Sequence, residues 1–250
     1  CHTQCMRFSV LGAAALLLAS VSSFSSTASA QAVSFSSCPQ FFPGRPPVVT
    51  QLQRLRELCF QEFAVLHSGE TKTPVYVAQR LNARQLEAGA ALKRKDKFYP
   101  EARLPSGDRA QLDDYKRSGF SRGHMAPAGD MGTEEGKAQS FSLANMVPQD
   151  AKHNGGAWSR IEQDTRRYIR RAKGDVFVIT GPVFAGSNQA TQTIGANRVR
   201  VPAAIFKLVY DPATGNSWVH WQENAASTRV TEPITYAEFV RRTGLSFLGD

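Results

Sequence analysis

The stretch from residue 203 to residue 222 constrains this chain most. Ala203 to Tyr210 and Ser217 to Gln222 are rich in β-branched and aromatic residues, and the Asp211-Pro-Ala-Thr-Gly-Asn between them is turn-forming sequence. Asp175-Val-Phe-Val-Ile-Thr-Gly is a run of the kind found in buried strands, and Thr73 to Leu81 alternates like a strand. Helical spacing lies elsewhere. Thr50 to Leu66 repeats Leu52, Leu55, Leu58, Phe63 and Leu66 at three to five residues, with Thr50 able to cap the start. Asn82 to Leu92 is helix-like in composition. From Trp158 to about Lys173 a helix is predicted with Trp158, Ile161, Thr165, Tyr168, Ile169 and Ala172 on one face and Gly174 at its end. Thr235 to Thr243 is a short final helix stopped by Gly244. Strands in succession with helices set apart favour an α+β fold over a parallel βαβ array.

The N-terminal residues read as a leader. Met6-Arg7 is a short basic start, Val10 to Leu18 an apolar run, and Ala28-Ser29-Ala30 has the form of a signal-peptidase site, with cleavage after Ala30 and Ala32 as the alternative. Residues ahead of Met6 read as upstream read-through. The apolar run is too short to span a bilayer, so residues 1–30 are expected to be removed and residues 31–250 to form one secreted or periplasmic domain without a membrane anchor. Cys38 and Cys59 remain, and in an oxidising compartment an even count suggests a disulfide from the N-terminal segment to the first helix; two unpaired buried thiols are the alternative. The net charge of +9 attracts polyanions, nucleic acid first and anionic membrane surfaces next, without choosing between them.

Arg94 to Asp114 interleaves Lys95, Lys97 and Arg103 with Phe98 and Tyr99 and has no sustained period, the mark of a functional loop. Beyond it, Ser121-Arg122-Gly123-His124 places a histidine behind a glycine whose conformational freedom would help aim an imidazole into a cleft. A neutral imidazole can take a proton near neutral pH. By itself a histidine fits a packed or surface position equally well. Its company is more specific: Asn145 and Gln149, then Asn154 to Glu162 leading into the predicted helix. If that helix begins near Asn154, then Asn154 and Glu162 share a side roughly two turns apart. Oxygen ligands of this kind suit a hard divalent cation that keeps most of its waters.

The run from Arg94 to Arg166 resembles the sugar-nonspecific DNA/RNA endonucleases of the ββα-metal (His-Me finger) fold. Arg122-Gly123-His124-Met-Ala-Pro127, Asn145-Met-Val-Pro148-Gln149 and Asn154-Gly-Gly-Ala-Trp158 with Arg160 and Glu162 match that family's motifs in order, and the similarity extends through Thr180-Gly-Pro182. The resemblance implies a central antiparallel sheet flanked by helices and a phosphodiester hydrolase acting on DNA and RNA with little sequence preference. It implies that His124 is the general base and Asn154 the direct ligand of Mg2+, with Mn2+ as the alternative. Glu162 would hold a metal-bound water. Arg122 and Arg94 would contact the scissile phosphate, Arg166 would add a further substrate contact, and Asn145 would orient the substrate site. The oligomeric state stays open, a homodimer included.

Ser121 departs from the family, which usually has aspartate there, and Asp130 or Asp114 could compensate. This departure motivates a second reading, a catalytically weakened nucleic-acid-binding protein of the same fold. His153 is expected to be solvated at the helix entrance, and Trp158 to be core.

Overall fold

The computed structural model describes residues 1–2, 33–186 and 191–248; the expected leader and its cleavage site lie outside them. In chain order the strands are β1 Leu55–Cys59, β2 Ala64–Ser68, β3 Thr73–Leu81, β4 Phe120–His124, β5 Met146–Asp150, β6 Val176–Val183, β7 Thr193–Ile194, β8 Val199–Arg200, β9 Ala204–Asp211 and β10 Asn216–Glu223. The α-helices are α1 Ala83–Ala90, α2 Leu112–Tyr115, α3 Glu134–Gln139, α4 Ala151–His153, α5 Ser159–Ile169 and α6 Tyr236–Thr243.

Six strands form one sheet in the order β1-β2-β3-β6-β9-β10, every neighbouring pair antiparallel. The architecture is α+β, as the element order implies. Local chemistry accounts for several boundaries. Asn82 caps α1 by accepting the amide of Gln85. Asp211 and Gly215, the latter at φ +71°, close the β9–β10 turn, and Gly244 at the same φ ends α6 in the left-handed conformation that favours glycine.

The sheet buries both faces. Phe35, Phe41, Phe42, Tyr76, Phe206, Leu208, Phe239 and Phe247 pack on one side, where α6 and the N-terminal segment lie. Phe63, Val65, Val77, Ile205, Met125, Trp158 and Ile161 pack on the other, where the β4–β5 ladder and α5 lie. Trp158 is core, as expected, and burying side chains such as Trp158, Ile161 and Ile169 contributes about 1.5–3 kcal/mol each. This apolar seam fixes α5 against the sheet.

One predicted helix is absent. The segment from Thr50 to Leu66 instead holds β1, a turn closed by Phe60 N–H donating to the Phe63 carbonyl, and β2. Arg54 at φ +54° interrupts any helix, and β1 buries Leu55 and Leu58 while exposing Arg56 and Glu57. An edge strand followed by a turn has thereby reproduced a spacing of three that imitates a helix. Every residue of β2 is buried between its neighbours, so no amphipathic period is demanded there. Cys38 and Cys59 form a disulfide, anchoring the N-terminal segment to the end of β1 rather than to a helix. Among the described residues no helix is long and apolar enough to cross a membrane.

Candidate active site

The site is built on β4, β5 and the helix that follows. His124 ends β4 opposite Met146, while Gly123 faces Val147, Arg122 faces Pro148 and Ser121 faces Gln149. Gly123 has no positive φ, so conformational freedom is not what requires it. A Cβ there would stand 2.2 Å from Oε1 and 2.6 Å from Cβ of Gln149. The glycine makes room for Gln149, whose Nε2 meets His153 Nδ1 at 3.2 Å.

His153 is therefore buried, against the expectation of a solvated side chain. It packs at 5.9 Å from the Trp158 ring, and burial lowers its basicity.

His124 is held from three sides. Its ring meets Phe141 edge-on at 5.1 Å and lies 5.7 Å from Phe98. Behind it, Asn145 fixes the chain: its Oδ1 accepts from Ala126 N–H at 2.9 Å, while its Nδ2 donates to the carbonyls of Ala126 and Ser140. Asn145 is fully buried and committed to backbone, so the structure places it beneath the site and not at a substrate surface. His124 Nε2 is buried without a hydrogen-bond partner among the described residues. Burial, then the nearby Arg94 charge, lowers its pKa to about 3 against the opposing effect of Asp96. The imidazole is thus neutral at physiological pH.

Two arginines surround this histidine. The Arg122 guanidinium sits over Phe98 at 4.9 Å and over Tyr115 at 5.7 Å, and that of Arg94 lies 5.5 Å from the Phe141 ring centre while its Nε donates to Asp96 at 2.6 Å. The aromatic rings hold both cations by face contact; Arg94 is also ion-paired with Asp96, whereas Arg122 has no carboxylate partner among the described residues.

Asn154 to Trp158 form a π turn leading directly into α5. Such a turn, with i→i+5 hydrogen bonds, inserts one residue into the helical ladder. The eight steps from Asn154 to Glu162 then advance like about seven, close to two whole turns, so the two positions fall on the same face of the helix.

Glu162 is only partly exposed. Burial pushes its pKa up to about 7; Lys207 opposes this most, Asp130 adds to it, and Arg166 and Arg94 also oppose it. Arg166, one turn on, pairs with the buried Asp130 at 2.8 Å and lies against Gly129.

Lys207 had no place in the sequence reading. It is 1% exposed, donates to Thr180 Oγ1 at 2.8 Å and sits 5.3 Å over the Trp158 ring. A single lysine within the apolar run Ala-Ile-Phe-Lys-Leu-Val was the available signal. Of the two carboxylates offered in place of the aspartate missing at Ser121, Asp130 lies close enough to influence Glu162. Asp114 is committed to Asn197 and to the Gln111 amide.

Among the described residues no group of three or more His, Cys, Asp or Glu side chains is assembled to hold a metal ion. The donors present at the site are a neutral amide oxygen and a carboxylate, both hard oxygen ligands. They fit a divalent cation such as Mg2+ or Mn2+ that retains most of its waters.

An antiparallel β4–β5 pair that carries a histidine at its end and leads into a helix with an amide and a carboxylate on one face is the pattern of a ββα-metal fold. Residues 47–248 match the family model for DNA/RNA non-specific endonuclease, and the chain belongs to that family. Nuclease EXOG, mitochondrial, of Danio rerio is 36% identical over 146 residues, covering 55% of this chain and 42% of that protein. Nuclease C1 of Cunninghamella echinulata var. echinulata is 31% identical over 169 residues, covering 64% of this chain and 67% of that protein. A crystal structure of the EndoG/EndoGI complex, described as showing the mechanism of EndoG inhibition, contains a chain that superposes with a TM-score of 0.73 at 26% identity, over 85% of this chain and 91% of that one. This chain spans less than half the length of the EXOG relatives.

These relatives correct one expectation. The EXOG proteins and the nuclease 1 of Schizosaccharomyces pombe are named as mitochondrial, which overturns the secreted or periplasmic assignment read from the N-terminal sequence.

Proposed function

We propose that the chain from residue 31 to 250 acts as one metal-dependent endonuclease domain that hydrolyses phosphodiester bonds in DNA and RNA. The observation that carries this reading is the placement of His124 between the rings of Phe98 and Phe141, which also hold the Arg122 and Arg94 guanidinium groups, at the end of the strand pair that leads into the helix bearing Asn154 and Glu162. Hydrolysis needs a base for water, cations for the phosphoryl oxygens and help for the departing oxygen. His124 accepts the proton of the attacking water as a ring that is already neutral at physiological pH, though the burial that keeps it neutral also lowers its basicity in the substrate-free protein. Arg122 and Arg94, displayed on aromatic faces, hold the scissile phosphate, and Arg166, fixed by Asp130, adds a further phosphate contact. Asn154 would hold a magnesium or manganese ion and Glu162 would orient its hydration shell; when bound, such an ion neutralises charge on the phosphoryl oxygens. Asn145 positions the backbone after His124.

The decisive experiment incubates the purified chain with supercoiled plasmid and with structured RNA, in magnesium and in chelator. Cleavage of both in magnesium alone is the expected result. Retained binding without cutting in either condition would replace this reading with that of a catalytically weakened binding protein, the role that Ser121 allows.

A further inference from the structure

An open groove of about 1000 Å³ runs along the back of α5, between that helix and the 226–230 loop. Ile161, Thr165 and Ile169 face the core and Glu162 and Arg166 lie to one side, so the groove occupies the remaining, outward face. Lys152, Arg160, Arg167 and Arg229 line it, all exposed. Asp164 is the one carboxylate in the lining, and it pairs with Arg167, leaving three cations without a carboxylate partner among the described residues.

Two glycines in the same wall carry an independent signal. Gly155 and Gly156 lie in the π turn, where glycine is a poor helix former. Other glycines near the site have a packing reason: a Cβ on Gly123, Gly89 or Gly136 would come within 2.2, 1.9 and 1.9 Å of a neighbouring atom. At Gly155 and Gly156 a Cβ would meet nothing within 4 Å, and neither residue has a positive φ. Neither packing nor backbone conformation explains them. A bare helical surface beside unpaired cations is what a polyanionic chain needs in order to approach the protein backbone closely.

We infer that this groove is the track for the nucleic-acid strand flanking the scissile phosphate, so that the chain grips polymers more tightly than short fragments. The inference rests on the nuclease reading, because the strand must continue from a phosphate held beside Asn154 and Glu162. Lys152, Arg160 and Arg229 contact successive phosphates, without reading base sequence. Gly155 and Gly156 let the sugar–phosphate backbone lie against the turn.

The test measures binding of labelled single-stranded DNA by fluorescence anisotropy in chelator, with oligonucleotides of about 6 and about 30 nucleotides. Arg160→Ala with Arg229→Ala should weaken binding of the long oligonucleotide about 10-fold and reduce its salt slope by about 1.4, while changing the short one little. Gly156→Gln, which adds neutral bulk on a helix-forming side chain, should weaken long-strand binding with the melting temperature maintained. Equal effects on both lengths, or none, would overturn the groove. Native binding that depends on these residues, together with no magnesium-dependent cleavage, would uphold the groove and reject the active-site reading.

Discussion

The large sheet and the β4–β5 ladder each bury a histidine, and the two histidines differ less in themselves than in their surroundings. His67 sits in β2, with neither ring nitrogen hydrogen-bonded to a described residue, and burial lowers its pKa to about 3. His124 has an unpaired Nε2 and is lowered to about the same value. Burial alone therefore cannot mark a catalytic base. What separates them is the neighbourhood: His67 lies at a register shift between two strands, whereas His124 is bordered by two aromatic rings that carry Arg94 and Arg122. One is a polar residue tolerated inside a sheet; the other sits where charged groups from several elements meet.

Substitution tests this contrast most strongly at the base. His124→Ala should reduce plasmid cleavage by about 10²–10⁴ with the fold retained, whereas His67→Leu should leave turnover near that of the native chain. Comparable losses in both would erase the distinction. Glu162 comes next. Its raised folded pKa means that the metal-free folded state keeps a proton the unfolded chain releases above pH 4.5, so folding is penalised as pH rises to about 7. In chelator, Glu162→Gln should stabilise the protein above pH 7 by up to about 3 kcal/mol and give no gain below pH 4, as read by denaturant melts. Asn154→Ala, which removes the proposed direct ligand, should raise the magnesium concentration for half-maximal cleavage by more than the roughly 10- to 100-fold that loss of an outer-shell partner costs, or abolish cleavage.

A test on stability alone concerns the sheet histidine again. His67, lowered to about 3, binds no proton when folded but does so at about pH 6.5 when unfolded, so its contribution to stability is lost as pH falls below 6.5. His67→Leu should flatten the acid limb of stability between pH 4 and 6 by about 1.4 kcal/mol per pH unit. An unchanged slope would mean that His67 is not held neutral.

Much of this protein is legible before any coordinates. The β9–β10 hairpin, β3, β6, α1 and α6 follow from alternation, turn chemistry and caps, because those signals act within a few residues. The pairing of Cys38 with Cys59 is also legible, though its partner element is not: β1 and β2 resemble a helix until the strands beside them are known. The roles of Gly123 and Gly156 show the limit from another side. One glycine is explained by Gln149 across a strand pair, whereas a Cβ on the other would meet no side chain or neighbouring element within 4 Å.

The sequence by itself determined which residues carry useful chemistry and which segments are apolar, since both are properties of side chains and their spacing. Tertiary structure decided that Arg94 and Arg122 would be held on the rings beside His124, that Lys207 would lie buried beneath the helix, and that Asn145 would be used up in holding backbone. The physical reason is that periodicity tells each element which face to bury but not which partner will cover it. Convergence of distant side chains is fixed only when the sheet and α5 close on their shared core.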